Sequence, residues 1–87
     1  MDALPIPQVD QGSLLDAVLA AYRQVLGNHD VTEDDDFFEL GGDSIQAMDA
    51  ITQIEEATGV QVNAGLFFTY PTVAELSAAL SAGGSIL

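Results

Sequence analysis

Apolar residues recur every three to four positions along three stretches of this chain, and none alternates convincingly with a period of two. In the first stretch the stripe is Leu15, Val18, Leu19, Tyr22, Val25 and Leu26. In the second, at about 100° per residue, Ala47, Ala50, Ile51, Ile54, Ala57 and Thr58 share one face. In the last it is Val73, Leu76, Ala79 and Leu80. Such spacing suits helices that bury one side and excludes half-buried strands. Start and stop signals agree. Ser13 with Asp16 resembles a capping box and Gly27 a stop; Asp43 or Ser44 opens the second helix, which runs to Thr58 and ends at Gly59. Pro71 precedes a capping box from Thr72 to Glu75, and Leu66-Phe67-Phe68 supplies one short turn before it. The expected fold is all-α: a small bundle of three main helices plus one short helix.

Eighty-seven residues make one domain with one small core and no cysteine to staple it. Residues 1–12, with two prolines and a glycine, read as a flexible N-terminal segment or linker, 13–82 as the domain, and 83–87 as a flexible tail. No apolar run approaches the ~20 residues that span a bilayer, and no cleavable leader is evident, so a cytoplasmic protein without membrane contact is expected. Fourteen acids face one base, Arg23, for a formal charge of −13. That field repels nucleic acid and draws basic partners inward.

The acids concentrate in the long connection 28–42, where Val31, Phe37, Phe38 and Leu40 are expected to anchor the chain to the helices. Its pattern is not a calcium loop: counting from Asp30, the sixth position is Asp35 and the twelfth Gly41, where glycine and glutamate are needed. With no cysteine and only His29, zinc is excluded too. The connection ends in Gly41-Gly42-Asp43-Ser44 at the mouth of a helix. Ser44 lacks the strand-to-helix setting of a hydrolase nucleophile, and the only histidine, His29 at the start of the acidic loop, reads as a solvated loop residue and not as its base. Two roles remain for Ser44. It can accept a phosphate ester, which the helix N-terminus favours and the two glycines leave accessible to another protein's active site, or it can serve as a plain N-cap. Ile45 falls on the polar face of the second helix and Met48 at its border, a pattern that suits a small apolar contact for partner proteins.

The run from Asp36 to Ile45, DFFELGGDSI, resembles the 4′-phosphopantetheine attachment motif of carrier proteins, in the form found in peptidyl and aryl carrier (thiolation) domains of nonribosomal peptide synthetases. Leu66 to Leu76, LFFTYPTVAEL, is similar to that family's third helix and the start of its fourth. The resemblance spans about Leu14 to Leu80 and implies an acyl-carrier-like fold with no catalysis of its own. It implies that a phosphopantetheinyl transferase attaches 4′-phosphopantetheine, taken from coenzyme A, to Ser44. Gly41, Gly42 and Asp43 flank that site, Ile45 and Met48 match partner-facing positions, and Phe67 and Phe68 match the short third helix, part core and part partner contact. Phe37 and Leu40 match loop anchors. The arm would carry an aminoacyl, aryl or peptidyl thioester among adenylation, condensation and tailoring enzymes, with the carrier itself a monomer. Asp43 departs from the histidine of many peptidyl carriers and is shared with aryl carriers, carriers preceding epimerisation domains and acyl carriers of polyketide and fatty-acid systems. An acyl carrier is therefore the alternative within the family. The alternative from another class is an acidic helical adaptor with no prosthetic group.

Overall fold

A computed structural model describes residues 11–82. Its order is α1 (Gln11–Leu26), α2 (Ser44–Thr58), α3 (Ala64–Thr69) and α4 (Val73–Ser81). Among the described residues there is no strand, only an isolated antiparallel bridge between Asp36 and Thr72. The all-α expectation of three main helices and one short one holds. Of the segments 1–12 and 83–87 expected to be flexible, residues 1–10 and 83–87 lie outside the described residues. Among the described residues no helix is long and apolar enough to cross a membrane.

α1 packs on both α2 and α4, and α3 touches α2 and α4. Leu14, Val18, Ala21 and Tyr22 form the fully buried stripe of α1, with Leu15, Leu19, Val25 and Leu26 along its edges. The stripe is thus centred on Leu14, not Leu15. The chain is already helical at Gln11, the first described residue, so Ser13 lies inside α1 and not at its cap. Helical geometry through Ser13 is what sets Leu14 one turn from Val18 on the buried face.

α2 follows expectation at both ends, with Asp43 as N-cap and Gly59 as C-cap in the left-handed region at φ 73°. Ala47, Ala50, Ile51 and Ile54 are buried. Ala57, expected with them, is exposed, because it lies on the rim of an open cleft lined by Ala17 and Ala20 of α1, whose short side chains do not reach across. α3 starts earlier than its apolar triplet implies, because the Asn63 side chain caps it by accepting from the Gly65 and Leu66 N–H groups. At α4 the Thr72 hydroxyl accepts from the Glu75 N–H at 3.1 Å, the first half of the expected box. The second half differs: the Glu75 carboxylate accepts from the Thr72 hydroxyl rather than the Thr72 backbone. Ser77, buried between Val73 and Leu80 on the α4 core face, donates to the Ala74 carbonyl, so no polar atom there is left unsatisfied.

Candidate functional site

The long connection is bound to the bundle on both sides. Arg23, from the last turn of α1, donates through Nε and a terminal nitrogen to the Val31 carbonyl at 3.1 and 2.9 Å. The Ala74 N–H donates to the Glu33 carbonyl. The Pro71 carbonyl accepts twice, from the Phe37 N–H at 3.1 Å and from the Tyr22 hydroxyl at 2.6 Å. Burial, then the negative charges of Asp36 and Glu75, push the Tyr22 phenol well above its usual range, so it stays a donor. Val31 and Phe37 are fully buried and Phe38 and Leu40 pack against the core, as the sequence implied. Asp36 folds the chain behind them: one carboxylate oxygen accepts from the Phe38 and Glu39 N–H groups at 2.8 and 3.2 Å.

This anchoring explains the glycine pair. Gly41 has φ 101°, a conformation that side-chain-bearing residues rarely adopt, and this turns the chain toward α2. Gly42 is required for space: its N–H donates to the Phe37 carbonyl, and any Cβ there would collide with the Phe37 ring. The chain leaves Gly42 held against the core and reaches the exposed Asp43 and Ser44 at the start of α2.

Asp43 and Gln46 form a reciprocal capping box. The Asp43 carboxylate accepts from the Gln46 N–H at 2.8 Å, and the Gln46 side-chain oxygen accepts from the Asp43 N–H at 3.2 Å. Of the two residues named for the cap, Asp43 takes the role, and Ser44 becomes the first residue inside the helix. An exposed hydroxyl at that position, outside the cap, has the room to carry a covalent group. A phosphate ester on it would sit at the positive end of the helix dipole.

Four large apolar side chains of the described residues are exposed: Ile45 (76%), Met48 (51%), Phe68 (47%) and Tyr70 (40%). All belong to α2 and α3 or to the α3 cap, and those two helices touch. Phe67 is different. It is fully buried, packing on Tyr22 and Phe37 at centroid distances of 5.7 and 5.1 Å, so its expected place on a contact surface is corrected to the core. A six-residue helix lying on the bundle has room for one inward aromatic, and Phe67 takes it while its neighbour stacks on Phe38, 5.1 Å apart and nearly parallel. Tyr70 was missed by the reading of the sequence, although a large aromatic directly before the proline of a helix start is a visible signal. The capping role of Asn63 was missed as well; its signal was an Asn ahead of a short apolar run.

Comparison with known proteins agrees with this geometry. Residues 16–80 match the family described as phosphopantetheine attachment site. Among curated proteins, the chain is 35% identical over 91 residues to surfactin synthase subunit 3 of Bacillus subtilis (strain 168), covering 94% of this chain and 7% of that protein. It is 45% identical over 60 residues to tyrocidine synthase 3 of Brevibacillus parabrevis, covering 69% of this chain and 1% of that one. The chain thus spans a small fraction of these relatives. Among solved structures, one described as a non-ribosomal PCP domain superposes with a TM-score of 0.70 at 35% identity, over 86% of this chain and 92% of that one. BlmI, a type-II acyl carrier protein of Streptomyces verticillus, superposes with a TM-score of 0.78 at 25% identity, over 86% and 90% of the two chains.

Proposed function

The chain belongs to the phosphopantetheine attachment-site family, as a peptidyl carrier domain of the nonribosomal peptide synthetase kind, and from this we propose that Ser44 is its attachment residue. The observation that carries the reading is the division of labour at the start of α2. Asp43 caps the helix, so the Ser44 hydroxyl, exposed in the first turn, is spared for reaction. Ser44 Oγ attacks the pantetheine-side phosphorus of the coenzyme A diphosphate in the active site of a separate phosphopantetheinyl transferase. The new phosphodiester replaces the P–O bond of the diphosphate, 3′,5′-ADP leaves, the hydroxyl proton passes to a base of the transferase, and the domain catalyses nothing itself. Once bound, 4′-phosphopantetheine supplies a thiol that holds an acyl group as a thioester. The chain's own residues hold the anchor: Gly41 turns the chain toward α2 and leaves open space beside it, Gly42 lets the chain lie against Phe37, which fixes the turn from below, and the α2 N-terminus favours the phosphodiester.

Adenylation, condensation and tailoring enzymes are the partners this reading assigns. Ile45, Met48 and Phe68 supply an apolar contact, with Tyr70 added by the structure. A net charge of −13 favours basic partners and salt-sensitive encounters, which suits a carrier that must let go after each step. The same charge opposes self-association, so the domain acts as a monomer, and it acts in the cytoplasm, where coenzyme A is available. The adaptor alternative used Ser44 as its cap; with Asp43 in that place, it loses the one role it gave to the serine.

Intact mass before and after incubation with coenzyme A, magnesium and a broad-specificity transferase tests the proposal. The expected result is a gain of one phosphopantetheinyl group on the wild type and none on Ser44→Ala. The Ser44→Ala domain should unfold within about 0.5 kcal/mol of the wild type, because it loses neither a cap nor a buried group. A folded, unmodified wild type that gains nothing would overturn the assignment.

A further inference from the structure

We infer that Asp43 is a positioning residue for the modification of Ser44: by taking the α2 cap itself, it keeps the adjacent serine in the first helical position with its hydroxyl outside the helix's own hydrogen bonding. The inference rests on the reading of Ser44 as the attachment residue.

The sequence offers α2 two possible starts, one residue apart. Aspartate and serine are about equally good N-caps, and they stand side by side. If Ser44 were the cap, its backbone would become extended and its hydroxyl oxygen would accept an N–H from the first turn, turned toward the helix and partly engaged. Two features select the other start. A capping box needs a glutamine or glutamate three residues after the cap: from Asp43 that residue is Gln46, whereas from Ser44 it is Ala47, which has nothing to return. The helix also gains a bond, since the Ala47 N–H donates to the Asp43 carbonyl at 2.9 Å, an interaction the later start would forfeit. Asp43 is accordingly extended, at φ −118° and ψ −177°, and Ser44 is helical.

Removing the Asp43 side chain reverses the balance. With alanine at 43, Ser44 becomes the better cap, and a strong cap preference, net of the Ala47 bond that the later start forfeits, populates the later start about fivefold over the earlier one. The transferase then meets the competent serine in a minority of molecules. Its KM for the domain should rise about sixfold with kcat retained, because at saturating domain every transferase is still occupied by the competent form.

Three variants of the same chain test this with one transferase: Asp43→Ala, Asp43→Asn and Thr72→Ala. Asparagine caps as well as aspartate but carries no charge. Thr72→Ala removes the comparable cap of α4 and controls for lost stability alone. Carbon-13 shifts of the residue-44 Cα and Cβ report whether that residue is helical or extended. The expected result is a KM increase of about sixfold and a shift toward extended values at residue 44 in Asp43→Ala, with Asp43→Asn and Thr72→Ala close to wild type. Equal loss in Asp43→Asn would assign the effect to charge and overturn the inference. Equal loss in Thr72→Ala, an unchanged Asp43→Ala KM, or a residue 44 that stays helical would also overturn it. Failure of the underlying reading shows separately, as a wild type that is never modified or a Ser44→Ala variant that still is.

Discussion

Gly42→Ala should be among the most damaging conservative substitutions in the domain. A Cβ at position 42 would meet Phe37 Cδ2 at 2.5 Å, the neighbouring ring carbon Cε2, and the Phe37 carbonyl oxygen at 2.9 Å. Neither obstacle can retreat cheaply. The ring is fully buried, with Tyr22, Phe67 and Phe38 at centroid distances of 4.9, 5.1 and 5.3 Å. The carbonyl is held by the N–H of residue 42 itself. Overpacking a filled core costs ~1–3 kcal/mol, and with ring and backbone both obstructed the upper end, about 3 kcal/mol, is expected. For a small domain at the low end of the usual range, ~5 kcal/mol, that is more than half of the stability. Urea unfolding followed by circular dichroism measures it. The paired variant Gly42→Ala/Phe37→Leu identifies the cause: the smaller side chain opens space for the methyl group, so the double loss should fall short of the sum of the single losses by at least 1 kcal/mol, about the size of coupling between residues in contact. A Gly42→Ala variant within about 0.5 kcal/mol of wild type, or strictly additive losses, would refute the reasoning.

Two further outcomes follow from the same anchoring. The Tyr22 phenol is raised above its unfolded value, so the folded state holds this proton where the unfolded state has released it; the contribution is complete below about pH 10 and declines as pH rises beyond it. Tyr22→Phe should make stability less steeply pH-dependent between about pH 10 and 11 while costing ~1 kcal/mol at neutral pH for the lost bond to Pro71, both read from unfolding midpoints. Arg23→Met leaves the Val31 carbonyl without its two donors, which should cost ~1–3 kcal/mol and speed amide exchange through residues 31–37; unchanged exchange there would remove Arg23 as the anchor of the loop.

The parts of this fold visible in the sequence were those set by local chemistry. The Asp43 and Gln46 spacing, Gly59 after a helical stripe, and Thr72 behind Pro71 each specify a backbone state within three or four residues, and the structure keeps each of them. Burial was less accessible because it depends on what faces a residue from elsewhere. Leu14 and Leu15 each fit a helical stripe, Leu14 four residues from Val18 and Leu15 three, and the packing of α1 on α2 and α4 selects Leu14. Ala57 has the correct phase for the core yet meets open space, since its opposite neighbours on α1 are alanines. Phe67 and Phe68 are adjacent and identical; docking of α3 sends one into the bundle and leaves the other half exposed on Phe38. At the site itself, the motif made Ser44 conspicuous, but the reason for the second glycine was a ring five residues earlier that comes back beneath it.

The surroundings of Ser44 are consequently unequal in stiffness. On the loop side, the path to the serine is fixed by Arg23 at Val31, by α4 at Glu33, and by Phe37 and Tyr22 sharing the Pro71 carbonyl, contacts that draw on α1, α4 and the connection before it. On the other side, α3 is six residues long and has one buried residue, Phe67. The strand of chain before it is tied to α2 by the Val62 N–H on the Glu55 carboxylate. Local opening is easiest where buried contacts are fewest, which places it at α3 and not at the serine. On the proposed role of Ser44, adaptation to different partners would fall on Phe68 and Tyr70, while Ile45 and Met48, on the longer α2, would stay in register with the serine. A carrier needs both properties: an attachment point that presents the same geometry to every enzyme, and a neighbouring apolar surface that can yield to each.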